Sequence, residues 1–157
     1  MGLESAIISA LQSRSQTVAT AESCTGGLVV HRLTNVPGAS AVFQEGVVTY
    51  SNEVKTKLLG VPLTLIKTYG AVSAEVATAM AEGIQKKSGA TFGLATTGIA
   101  GPSGGSEAQL VGTVFLAIAE SDKPTEVWRE FFPGERLAFK QKATEALLQA
   151  FLKKQAR

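Results

Sequence analysis

The chain has 157 residues, of which 45% are hydrophobic and 18% charged, enough apolar mass for one domain with a full core. A net charge of +2 with scattered basic residues gives no nucleic-acid footprint, one histidine and one cysteine exclude a His/Cys-rich zinc site, and no apolar run reaches the ~18 residues of a membrane span. The lone Cys24 excludes an internal disulfide and points to a reducing, cytoplasmic compartment, and Met1-Gly2-Leu3-Glu4-Ser5 lacks the basic start and apolar core of a signal peptide.

Leu3, Ala6, Ile7, Ala10 and Leu11 recur at helical spacing and predict a first helix. Thr17–Ala21 reads as a strand. A turn, Ala21-Glu22-Ser23-Cys24-Thr25-Gly26-Gly27, leads into a helix that starts at Leu28 and continues through His31, Arg32 and Leu33 until Asn35 and Pro37 stop it. Val47-Val48-Thr49-Tyr50 is a short strand. Ser51 or Asn52 caps the next helix, which has Val54, Leu58 and Leu59 on one face and Gly60 as its stop. Pro62 opens another short helix that ends near Gly70. Ser73 caps a longer one whose buried stripe is Val76, Ala79, Met80, Gly83 and Ile84. Thr91–Thr97 is a strand and Gly98–Leu110 a loop rich in Gly and Ser. Val111–Ala119 and Glu126–Phe132 form a hairpin around Ser121-Asp122-Lys123-Pro124. The last helix, Gly134–Lys154, carries Leu137, Lys140, Thr144, Leu147, Leu148 and Phe151 near one face, and Lys153, Lys154 and Arg157 suit its negative end. Alternating helices and strands followed by a hairpin predict a single α/β domain over residues 1–157, a three-layer α/β/α sandwich with a mixed sheet.

Three stretches carry candidate chemistry. In the first turn, Ser23 ends a strand, where α/β sheets place ligands. It reads either as a nucleophile, with backbone N–H groups near Cys24–Gly27 as an oxyanion site, or as a plain helix cap, the commoner role on spacing alone. Cys24 is an alternative nucleophile, although a buried inert thiol is the more common kind. His31, the only histidine, sits two turns on and reads as a solvated surface residue. A serine without histidine needs another base. Tyr50 and Lys55 lie where both can face the sheet edge that carries Ser23. The alternative for Lys55 is a solvated lysine beside Glu53 and Lys57, although a lysine in a first helical turn opposes the helix dipole. In Thr96–Ser106 four glycines let backbone approach a ligand and aim N–H groups at an anion, without forming a Walker loop. Arg136, opening the last helix, suits a phosphate or carboxylate, or pairs with Glu135 or Glu130.

In this order, Ala21–Gly27, Val47–Lys55 and Thr97–Ser106 resemble the CinA C-terminal domain family. The motifs are Ala-Glu-Ser-Cys-Thr-Gly-Gly, Thr-Tyr-Ser-Asn-Glu and Gly-Ile-Ala-Gly-Pro-x-Gly-Gly-Ser, and the likeness runs from about Leu11 to Leu152. The resemblance implies a hydrolase that converts nicotinamide mononucleotide and water to nicotinic acid mononucleotide and ammonia, in pyridine-nucleotide recycling. It puts the family's serine on Ser23, its tyrosine on Tyr50, its lysine on Lys55, its glycine loop on Gly98–Ser106 and its arginine on Arg136. Lys55 then takes the Ser23 proton, directly or through Tyr50, while N–H groups of the turn through Cys24, Thr25, Gly26 and Gly27 hold the oxyanion. Thr97, Gly98, Ile99, Ala100, Gly101, Gly104, Gly105 and Arg136 bind the substrate, with the loop and Arg136 on its 5′-phosphate. The expected partner is this small molecule, without metal, cofactor, nucleic acid or membrane, and the resemblance implies dimers or higher oligomers. The chain departs from the family in one place. Gln109-Leu110 stands where many members carry Lys-Pro before Val111-Gly112-Thr113, which puts phosphate affinity or the substrate itself in question. The competing expectation is a non-catalytic nucleotide-binding or interaction module that keeps the fold.

Overall fold

A computed structural model describes residues 2–157; Met1, part of the N-terminal stretch read above for a signal peptide, lies outside them. In chain order the elements are α1 (Leu3–Ser13), β1 (Val18–Glu22), α2 (Leu28–Thr34), a 3-10 turn (Ala39–Ala41), β2 (Phe43–Val48), α3 (Asn52–Leu59), α4 (Leu63–Tyr69), α5 (Ala74–Ser88), β3 (Phe92–Gly98), β4 (Thr113–Glu120), β5 (Glu126–Phe131) and α6 (Arg136–Gln155). The strands form one sheet in the order β2-β1-β3-β4-β5. β1 runs parallel to β2 and β3, whereas β4 and β5 are antiparallel, so the sheet is mixed.

The two faces of the sheet differ in side-chain size. Val18, Phe92, Leu94, Val114, Leu116 and Ile118 point to one face and pack against α1, α2 and α6 through Ile7, Leu11, Val29, Leu33, Phe139, Leu147, Leu148 and Phe151. Ala19, Ala21, Ala95, Ala117 and Ala119 point to the other, where α5 packs through Val76, Ala77, Met80, Ala81 and Ile84. This is period-2 alternation with large residues on one side and alanines on the other. Both faces are covered, which makes the three layers. Arg32 of α2 adds an ion pair at 2.8 Å to Glu145 of α6 and another to Glu4 of α1.

Alanine and glycine on the α5 face set how closely that helix lies. A Cβ built on Gly93 would stand 2.2 Å from the Ala81 carbonyl oxygen and 2.9 Å from Gln85 Cβ. Gly93→Ala should therefore push α5 off the sheet and cost about 1–3 kcal/mol, as overpacked cores do. Urea unfolding measures this, and a variant as stable as the parent would mean that α5 can back away freely.

Several boundaries differ from the sequence reading. β2 starts at Phe43, four residues before the expected Val47. It is an edge strand whose residues alternate between half-buried and exposed, so Gln44-Glu45-Gly46 hid it from an apolar search. In α3, Leu58, expected on the inner face with Leu59, is exposed, while Leu59 is buried as expected and Lys55 is buried rather than solvated beside Glu53 and Lys57. Leu137, expected on the inner face of α6, is 70% exposed. Its helix begins at Arg136, and the buried stripe begins one turn further in at Phe139.

Because β1, β2 and β3 run parallel, their carboxyl ends share one sheet edge. β1 is flanked on both sides, and the connection to β2 covers one face while the connection to β3 covers the other. A crevice opens outside the strand ends at such a switch point. The antiparallel β5 ends on the same edge, which delivers the start of α6 there.

Candidate active site

Ser23 follows the last residue of β1 and is 8% exposed. Its main-chain N–H donates to the Thr96 carbonyl at 3.1 Å and is 3.3 Å from Thr96 Oγ1 on β3. The turn after it needs two consecutive left-handed residues, Gly26 at φ +61° and Gly27 at φ +104°, before α2 begins. Ser23 does not cap α2. Gly27 occupies the cap position, and the carboxylate of Glu22 supplies the capping acceptor. Glu22 Oε1 accepts from Gly27 N–H at 3.1 Å and Val29 N–H at 3.0 Å, and Oε2 accepts from Val30 N–H at 3.0 Å. The helix N-terminus beside the expected oxyanion site is thus already occupied by the chain's own carboxylate.

The Ser23 hydroxyl instead meets Lys55. Ser51 caps α3 by accepting from Val54 N–H at 3.2 Å, and the first turn of that helix turns Lys55 inward under the end of β2. Lys55 is 1% exposed, among the largest fully buried side chains of the chain. Its Nζ lies 3.2 Å from Ser23 Oγ, 2.8 Å from the Thr49 carbonyl and 3.3 Å from the Tyr50 carbonyl. Neither Lys55 nor Arg136 has a carboxylate within 4.0 Å among the described residues. Burial without a countercharge pushes the Lys55 amine below its ordinary value of 10.5. A neutral amine has two N–H bonds and one lone pair. Two carbonyls can take the N–H bonds, leaving the lone pair for the Ser23 O–H.

Cys24 has the opposite electrostatics. Its thiol is buried, and desolvation pushes its pKa up to about 12, so it stays protonated at neutral pH. His31 is exposed and lines a different hollow of about 370 Å³, on the far side of the turn, with Thr25, Gly26, Gly27, Leu137 and Lys140. It meets neither Ser23 nor Cys24. Thr25, Gly26 and Gly27, expected at the substrate, face this second hollow or the interior: the Thr25 hydroxyl donates to Glu22 Oε1 at 2.5 Å.

A cavity of about 270 Å³ opens over Ser23. Cys24, Tyr50, Asn52 and Lys55 line it on one side, and Ala71, Val72, Thr97, Gly98, Ile99, Ala100, Gly101, Ser103 and Gly104 line it on the other, with Arg136 beside them. Among the described residues, no acidic side chain lines it. Arg136 donates from Nη1 to the Gly101 carbonyl at 2.9 Å and from Nη2 to the Tyr50 hydroxyl at 2.8 Å. The Tyr50 phenol therefore points outward to Arg136, not between Lys55 and Ser23. Its contribution at the amine is its backbone carbonyl, so the expected relay through the phenol is replaced by direct contact of Lys55 with Ser23.

The glycine loop is shaped largely by the protein itself. A Cβ on Gly98 would meet the Thr113 carbonyl at 2.7 Å, one on Gly101 would meet Val111 Cγ1 at 2.3 Å, and one on Gly105 would meet Val111 Cγ2 at 2.8 Å. Gly105 does not line the cavity. Thr97 Oγ1 donates to the Ala71 carbonyl at 2.8 Å, and the Gln109 side-chain amide donates to the Val72 carbonyl. Gln109 thus ties the loop to the α4–α5 connection. Sequence reasoning missed Glu22. Its signal was an acidic residue at a strand end five residues before a helix cap, which favours the positive helix terminus.

The CinA C-terminal domain family pattern matches residues 1–155. Among curated proteins, a CinA-like protein of Acidobacterium capsulatum is 49% identical over 146 residues, covering 93% of this chain and 35% of that protein. One from Akkermansia muciniphila is 46% identical over 150 residues, covering 96% and 36%. The chain thus spans little more than a third of the length of these relatives. Among solved structures, the competence/damage inducible protein CihA of Agrobacterium tumefaciens is 37% identical with a TM-score of 0.94, covering 99% of this chain and 94% of that one. A competence damage-inducible protein A of Klebsiella pneumoniae is 34% identical with a TM-score of 0.95, covering 99% and 96%.

Proposed function

The chain belongs to the CinA C-terminal domain family, and from that membership we propose that it is an amidohydrolase that converts nicotinamide mononucleotide and water to nicotinic acid mononucleotide and ammonia. The observation that carries the proposal is the 3.2 Å contact between Lys55 Nζ and Ser23 Oγ, made by an amine that burial drives toward its neutral form. Lys55 takes the Ser23 proton as Oγ attacks the carboxamide carbon. The backbone N–H of Cys24, next to the nucleophile, steadies the developing oxyanion. Lys55 returns the proton to the leaving nitrogen, the C–N bond breaks and ammonia departs. Water then attacks the acyl-serine, giving its proton through Lys55 to Ser23 Oγ as the ester bond breaks. The product is a carboxylate. The chemistry calls for no metal.

Arg136 gives the mouth of the cavity a cation without a carboxylate partner among the described residues, which suits the 5′-phosphate. Arg136→Met should raise KM for nicotinamide mononucleotide about 10–100-fold, the worth of a lost charge-assisted contact, with a smaller effect on kcat. Its effect on nicotinamide riboside, which lacks the phosphate, should be small. Equal losses on both substrates would remove Arg136 from the phosphate.

The test of the function is release of ammonia and nicotinic acid mononucleotide from nicotinamide mononucleotide by the purified chain. Release in step with enzyme concentration supports the amidohydrolase. Binding of the nucleotide without release would instead support a non-catalytic nucleotide-binding module on this fold.

A further inference from the structure

Glu22 and Thr25 take no part in the chemistry proposed above, yet both are buried beside the nucleophile, at 1% and 0% exposure. Their bonds form an ordered chain of donors. Ser23 N–H reaches Thr96 Oγ1 at 3.3 Å, Thr96 Oγ1 lies 2.9 Å from Thr25 Oγ1, and Thr25 Oγ1 lies 2.5 Å from Glu22 Oε1. A carboxylate only accepts, so the single Thr25 hydroxyl proton goes to Glu22. The Thr96 hydroxyl must then donate to Thr25, which leaves Thr96 Oγ1 free to accept from Ser23. The hydrogen-bond direction is fixed along the whole path. The same carboxylate gathers the N–H groups of Gly27, Val29 and Val30. One side chain therefore holds both the start of α2 and, through two hydroxyls, the main chain of Ser23 against β3.

We infer that Glu22, acting through Thr25 and Thr96, is the positioning residue that holds the Ser23 hydroxyl at Lys55. The inference rests on Ser23 being the nucleophile. Glu22 and Thr25 touch neither the Ser23 hydroxyl nor the Lys55 amine in this arrangement; they act by fixing the turn. Glutamine at position 22 brings donor hydrogens to a spot where all four protein partners are donors. Valine at position 25 cuts the chain while keeping the residue's shape, whereas serine restores the hydroxyl.

The test compares wild type, Glu22→Gln, Thr25→Val and Thr25→Ser by three readouts: labelling of Ser23 by a fluorophosphonate followed by intact mass, kcat and KM for nicotinamide mononucleotide, and the melting temperature. Labelling reads Ser23 without reference to the natural substrate. Glu22→Gln and Thr25→Val should slow labelling and lower kcat about 10²-fold, the effect of displacing a reacting atom by about an ångström, while KM changes little and Thr25→Ser recovers most of the loss. A purely structural role would lower the melting temperature and leave the rate per folded molecule near wild type. That result in both damaging variants, or in Thr25→Val if Glu22→Gln does not fold, overturns the inference. Labelling that depends on Glu22 in a protein that leaves nicotinamide mononucleotide intact would overturn the substrate and keep the positioning role. Hydrolysis that is indifferent to Glu22 and Thr25 would do the reverse. A wild type that neither labels nor hydrolyses would overturn both.

Discussion

Ser23→Ala should lower kcat for amide hydrolysis about 10⁴–10⁶-fold, the scale on which nucleophile deletions act in serine hydrolases. The folded protein should barely change. Ser23 does not cap α2, a role held by Gly27 and the Glu22 carboxylate, and its main-chain bond to the Thr96 carbonyl survives the substitution. Lys55 would lose one of its three hydrogen-bond partners and keep the Thr49 and Tyr50 carbonyls. The neighbouring thiol supplies the control. With its pKa pushed up to about 12 by burial, Cys24 has almost no thiolate at neutral pH, so Cys24→Ala should retain activity within a few-fold of wild type. Stopped-time ammonia assays on both variants decide between the two adjacent residues. An inactive Cys24→Ala beside an active Ser23→Ala would reverse the assignment.

Lys55→Met should lower kcat about 10²–10⁴-fold, the contribution of a positioned general base, and should also change the pH profile. In wild type, activity should rise as the pH climbs through the Lys55 pKa, at a position below the ordinary 10.5 because burial destabilises the ammonium form. The variant should lose that rising limb. The stability sign follows from the same depression. Between the folded and the unfolded pKa, the unfolded chain binds more protons, so stability grows with pH. The contribution of Lys55 is complete above the unfolded value and is lost as the pH falls through the folded one. The difference in unfolding free energy between wild type and Lys55→Met should therefore move in favour of wild type as the pH rises through that window. Urea titrations at a series of pH values measure it. A rising limb that persists in Lys55→Met would assign the titration to another group.

Most elements were visible locally. Ser51 and Ser73 cap helices as their positions before apolar-patterned segments suggest, Gly60 closes α3, and the hairpin around Ser121–Pro124 joins β4 to β5. β1 begins within the short β-branched run that starts at Thr17. These features depend on neighbours within a few residues, where spacing and backbone preference are sufficient. Edge strand β2 began too late in the sequence reading because its exposed half carries polar residues and Gly46. In α3 only Leu58 was misplaced, because adjacent leucines read as one apolar face, whereas burial of Lys55 turns that face toward Leu59.

The chain's order of residues by itself determined the α/β class, the mixed sheet, the family motifs and the short list of Ser23, Tyr50, Lys55 and Arg136. Tertiary structure decided where each of them sits and what it touches. Parallel pairing of β1 with β2 and β3 brings strand ends more than 20 residues apart in sequence to one edge. Only there does Lys55 find Ser23, does Arg136 meet the Tyr50 phenol, and does Glu22 take the helix terminus beside the expected oxyanion site. Periodicity records which face a residue shares with its near neighbours. It carries no information about which atoms of distant segments come within hydrogen-bond reach, because that is set by strand order and by the packing of α3 and α6 onto the sheet.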